Sequence, residues 1–141
     1  MSQLLASVLV SVSASLIFLL GAVHLLYTFH GTKLHPRDAD LRPRLEQSSL
    51  QLTRRVSMWK AWIGFNASHS YGALLFGSVY AYLAVAHPAM LFASPFLLAL
   101  GLLTLAGYLF LGVRYWFDVP LRGIVVSTAF YLSALLVLII R

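Results

Sequence analysis

Apolar residues in this chain run in four long blocks rather than in short stretches punctuated by turns. The blocks cover about 4–29, 61–85, 90–112 and 121–140 and carry almost no charge. Each is long enough for the roughly 20 residues that a helix needs to cross a bilayer core. Inside lipid every backbone N–H and C=O must find its partner within the protein, and so few segments cannot close a barrel, so helices are required. The pattern predicts an all-α, four-span transmembrane helix bundle forming a single domain over residues 1–141. Met1–Leu20 lacks a positive n-region and its apolar run continues past any small-residue cleavage site, so this stretch is expected to be a retained span.

Polar and small positions inside the blocks assign faces. Ser7, Ser11 and Ser15 recur every four residues in span one, a stripe that lets another helix approach. His24 and Tyr27 share a face near the end of that span, and Gly31 suits the residue that stops the helix. Span two is the most polar: Asn66, His69, Ser70, Ala73 and Gly77 follow one face, while Gly64, Ser68 and Gly72 form a second small stripe. In span four Gly123, Ser127 and Tyr131 align. Pro95 is acceptable early in span three.

Between spans one and two, residues 31–60 hold a basic segment. Asp40 is placed to cap a helix with Pro43 in its first turn. Leu45, Leu52, Val56 and Trp59 then recur near helical spacing, which predicts a basic amphipathic helix at the interface that runs on into span two.

Composition supports the membrane reading. Hydrophobic residues make up 60% of the chain and charged ones 10%, against about 25% charged in a soluble domain. No cysteine is present, which excludes disulfides, thiolate metal sites, cysteine nucleophiles and covalent haem attachment. The net charge of +6 reports topology rather than a nucleic-acid partner. All four acids and nine of the ten Lys or Arg residues lie in two stretches, Lys33–Lys60 and Arg114–Arg122, so the first and third connections hold nearly all of the positive charge. The positive-inside rule then makes loops 31–60 and 113–120 cytoplasmic in a cell (inner) membrane and leaves both termini outside. Trp59, Trp62 and Trp116 fall at that same boundary.

The candidate chemistry gathers on the cytoplasmic half. An ionisable residue within a span costs roughly 2.5–3.5 kcal/mol on insertion scales when charged, so His24 and His69 each need an explanation. The candidate polar pocket comprises His24, Tyr27, Asn66, His69, Ser70 and Arg114. Three readings compete: a polar clasp between helices, a small-molecule or lipid pocket with Arg114 facing an anionic group, and bis-axial haem ligation by His24 and His69. Metal ligation by protein side chains is disfavoured because every acid lies in a loop, and no buried acid is available to orient a catalytic imidazole. His30, His35 and His87 are expected to be solvated, and Arg114–Asp118 to form a local ion pair across one helical turn.

Trp59-Lys-Ala-Trp62-Ile-Gly-Phe-Asn66-Ala-Ser-His69-Ser70, with Gly21-x-x-His24 before it and Arg114-Tyr-Trp-Phe-x-x-Pro120 after it, resembles an uncharacterised family of small four-helix bacterial integral membrane proteins. The resemblance spans most of the chain and implies a bacterial inner-membrane setting, with no activity to carry over. The expected function is that of a non-enzymatic multi-pass membrane protein, an accessory subunit or a small-molecule or lipid-binding bundle without a cofactor. The alternative is a haem-binding electron carrier. The expected partners are the lipid bilayer, a small molecule or lipid, and a membrane-protein partner or a second copy of the chain.

Overall fold

A computed structural model describes residues 1–140. Six helices and one two-stranded hairpin follow in the order α1 (Ser2–Phe29), α2 (Leu41–Gln47), β1 (Ser49–Leu50), β2 (Thr53–Ser57), α3 (Met58–Ala86), α4 (Pro88–Ala93), α5 (Pro95–Tyr115) and α6 (Asp118–Ile139). Three of these, α1, α5 and α6, are long and apolar enough to cross a membrane. This marks a membrane-embedded, all-helical architecture. α3 has the length but is less apolar, because Asn66, Ser68, His69 and Ser70 interrupt it.

The chain divides into two compact units. The first contains Met1–Leu20 and the chain from Ala73 onward. Its core draws on α1 through Ala6, Val10, Ala14 and Ile17, and on α3 through Ala73, Phe76, Tyr80 and Leu83. Leu91 of α4, Leu105 of α5, and Ile124, Tyr131 and Ala134 of α6 complete it. The 3–4 spacing of these positions is the helical period that presents one face to neighbours.

Ser13, Tyr80, Ser127, Thr128 and Tyr131 are paired in this core. The buried Ser11 Oγ of the same unit, in contrast, has no hydrogen-bond partner among the described residues. The Ser127 hydroxyl donates to the Ser13 carbonyl at 2.9 Å, and the two hydroxyls lie 2.9 Å apart. Because the single Ser127 proton is used on the carbonyl, the Ser13 hydroxyl donates to Ser127. Tyr80 and Tyr131 donate to the carbonyls of Leu97 and Leu98, at 2.7 and 3.0 Å. A side chain at Gly101 would meet the Tyr131 hydroxyl and the Tyr80 ring. Gly77 likewise allows the backbone of α3 to approach Ala14 and Phe18 of α1, where a Cβ would lie 2.6–2.9 Å from their atoms.

The expected serine stripe has a different neighbourhood. Ala6, Ser13 and Ala14 face the core. Ser7, Ser11 and Ser15 instead line an open groove with Ala84, Val85 and Pro88. At the start of α5 the Ser94 side chain accepts from the Leu97 N–H at 3.2 Å, with Pro95 in the first turn.

The second unit is Gly21–Gly72. α1 ends at Phe29, and Gly31 follows at a φ of +84°, a conformation that costs glycine nothing and other residues strain. The amphipathic helix expected to reach Trp59 is corrected here. α2 stops at Gln47, Ser48 is extended, and residues 49–57 form an antiparallel hairpin pairing Ser49 with Ser57 and Leu50 with Thr53. The Met58 N–H closes onto the Ser48 carbonyl at 2.8 Å. Two serines compete poorly for a helix interior, and Thr53 and Val56 favour an extended chain. Asp40 is the N-cap residue but makes no side-chain cap bond; the Asp38 carboxylate instead accepts from the Asp40 N–H at 2.9 Å.

Candidate functional site

His24, Asn66, His69 and Ser70 come together within the second unit. Asn66 is the centre of the group. Its side-chain N–H donates to the Trp62 carbonyl at 2.8 Å, which leaves the amide oxygen as an acceptor. His24 Nε2 lies 3.0 Å from that oxygen, so Nε2 carries a proton and donates. In its neutral form His24 is therefore the Nε2–H tautomer, assigned from the hydrogen-bond circuit. The Ser70 hydroxyl donates to the Asn66 carbonyl at 3.0 Å. Asn66 and Ser70 are both buried.

The two imidazoles meet edge to face, with ring centroids 5.4 Å apart and planes at 87°. This geometry is favourable for aromatic rings, whose edges are positive and faces negative. Helical spacing accounts for the arrangement on α3, since residues 66, 69 and 70 lie within one turn. On α1, Thr28 supports His24 from below by donating its hydroxyl to the His24 carbonyl at 2.8 Å.

The remaining candidates diverge. Tyr27 accepts a hydrogen bond from Lys33 Nζ at 2.8 Å, with the ammonium 3.9 Å from the ring centre. It is thus occupied by the loop that follows α1. Arg114 belongs to the other unit, in the last turn of α5. Its expected pairing with Asp118 is corrected: α5 ends at Tyr115, and Asp118 pairs with Arg122 at 3.6 Å on the exposed first turn of α6. The helix break at Trp116–Phe117 removes the one-turn spacing that the pairing needed.

Comparison with known protein families, with characterised proteins and with solved structures finds no match to this chain. What the site does must be read from its own chemistry.

Sequence spacing passed over a second cluster. His35, expected to be solvated, packs edge to face on Trp59 at 5.1 Å. The Arg42 guanidinium lies 5.0 Å from the Trp59 ring and also bonds Glu46 at 2.9 Å. Trp62 Nε1 donates to the Leu34 carbonyl at 3.2 Å. Aromatic residues at the start of α3 thus hold Leu34, His35 and Arg42 through a hydrogen bond, a ring–ring contact and a cation over a ring face. The interfacial tryptophans were the only signal for this in the sequence. Among the described residues, no group of three or more His, Asp or Glu assembles as a metal-ligand set.

Proposed function

We propose that this protein is a non-enzymatic four-span membrane bundle, an accessory protein whose His24–Asn66–His69 cluster clasps α1 to α3. The observation that carries this reading is the closed circuit at Asn66. One end of its amide is held by its own helix and the other receives the His24 proton. A group built this way has its polar atoms satisfied by protein, as membrane-buried polar groups require. Such bonds between helices are worth about 0.6–2 kcal/mol each, enough to fix helix register.

In this proposal α3 is the fourth span. Its polar residues lower its hydropathy, but Asn66, Ser68 and Ser70 direct side-chain donors to carbonyls of the same helix, which reduces the cost of leaving water. The positive-inside rule supports cytoplasmic loops at 31–60 and 113–120 with both termini outside, in a bacterial inner membrane as the family resemblance implies. Reporters fused to each terminus test this. Four spans put both reporters on the outer side; three put them on opposite sides and would refute the proposal.

Bis-histidine haem ligation is the second reading, favoured by two imidazoles meeting from two helices at 5.4 Å. It needs a nitrogen lone pair from each ring directed at one iron. His24 Nε2 is already committed to Asn66, which supports the clasp over the carrier. Purification after expression with ample haem separates the two. A Soret band that disappears in both H24A and H69A would establish the carrier, and its absence the clasp.

A further inference from the structure

The end of α2, the hairpin and the start of α3 line an open polar cavity of about 260 Å³, in which Arg54, Arg55 and Lys60 are exposed. Arg54 and Arg55 of β2 and Lys60 of α3 line it, together with the serines at 48, 49 and 57. None of the three cations forms an ion pair among the described residues. The only carboxylate on the cavity wall, Glu46, is held by Arg42 at 2.9 Å. The wall therefore presents three uncompensated positive charges and three hydroxyls. The Ser57 hydroxyl oxygen accepts from the Lys60 N–H at 3.3 Å, which leaves its own proton to donate.

We infer that this cavity binds the phosphate group of a phosphoester. Arginine offers a planar fork that matches two phosphate oxygens, lysine adds a point charge, and serine hydroxyls donate to the remaining oxygens. The cavity is open to solvent, so one anionic group can rest against its wall with the rest of the ligand outside. Two sources offer that chemistry: the headgroup of an anionic lipid, or a soluble phosphoester. A basic site beside the first turn of a membrane helix lies at headgroup level. Only this lipid source rests on the membrane placement proposed above; phosphate binding does not.

The test uses the full chain in dodecyl maltoside, which contains no phosphate. Dioctanoyl phosphatidic acid, glycerol 3-phosphate and inorganic phosphate are titrated by calorimetry. The variant R54Q/R55Q/K60Q is compared with R37Q/R44Q/R122Q, which removes equal charge outside the cavity. Saturable binding by the wild type is expected, weakened at least about tenfold by the cavity variant and less than about twofold by the control. K60Q alone gives a smaller loss and keeps the result independent of hairpin stability. Phosphatidic acid binding about tenfold tighter than glycerol 3-phosphate identifies the lipid source, and equal binding identifies the soluble one; both support the site. No saturable binding of any probe, or equal losses in the two triple variants, overturns it.

Discussion

Substituting Asn66 by leucine isolates the value of the clasp. The change leaves the His24 Nε2 proton without its acceptor at 3.0 Å. An unpaired buried donor costs about 1–3 kcal/mol, and water reaching the end of the span favours the lower part of that range. Loss of the Asn66 bond to the Trp62 carbonyl adds little, because the same carbonyl accepts a backbone N–H one helical turn on. N66L is therefore expected to destabilise by roughly 1–2 kcal/mol. H24L removes the donor and strands only the amide oxygen, so its cost is expected to be similar. In the double variant neither polar group remains, and its cost should fall short of the sum by about 0.6–1.7 kcal/mol, the range for hydrogen bonds between membrane helices. Reversible unfolding in mixed micelles, titrated with dodecyl sulfate, measures all four corners of the cycle. Additivity to within about 0.3 kcal/mol would refute the clasp, since independent sites add to that accuracy.

Four further outcomes probe the first unit. G101A forces a methyl group into Tyr131 and Tyr80 and should lower stability by about 1–3 kcal/mol. G107A, where nothing lies within 4 Å, should be neutral or stabilising in the same thermal melt. S127A strands the Ser13 hydroxyl and should cost about 1 kcal/mol, whereas S13A/S127A should cost less than the sum of the single changes, as a double-mutant cycle would show. D118N/R122Q should change the melting midpoint by no more than about 0.5 kcal/mol allows, because both partners of that ion pair are exposed.

The helices were legible because an absence of charge and a 3.6-residue period are properties of the chain itself. Asn66, His69, Ser70, Ala73 and Gly77 share one helix face by spacing, and all are buried except His69, which is half-buried. The hairpin was hidden by a coincidence of spacing. Leu45, Leu52, Val56 and Trp59 fit a helical face, yet Leu52 is 94% exposed at the hairpin turn. What decides the hairpin is the bond from Met58 N–H to the Ser48 carbonyl, a contact across ten residues that local periodicity does not encode. Tyr27 illustrates the same limit within the site. Its helical phase matches His24, but its hydroxyl is taken by Lys33, which the turn at Gly31 brings back.

The division of polar residues along α3 links these observations to the proposed topology. Asn66, Ser68 and Ser70 all send side-chain donors to carbonyls within three or four residues. The Asn66 amide oxygen in turn accepts a proton from outside its own helix, which His24 supplies. A helix with its donors internally satisfied can enter lipid at lower cost than its hydropathy implies, while one outward-facing acceptor fixes which partner it takes. Removing the local bonds, as in S68A or S70A, would therefore make α3 more apolar without altering its pairing. Removing Asn66 would also make it more apolar, but at the expense of register. The same polarity that sets α3 apart from the other long helices thus supports the proposal that it is the fourth span and holds α1 in register.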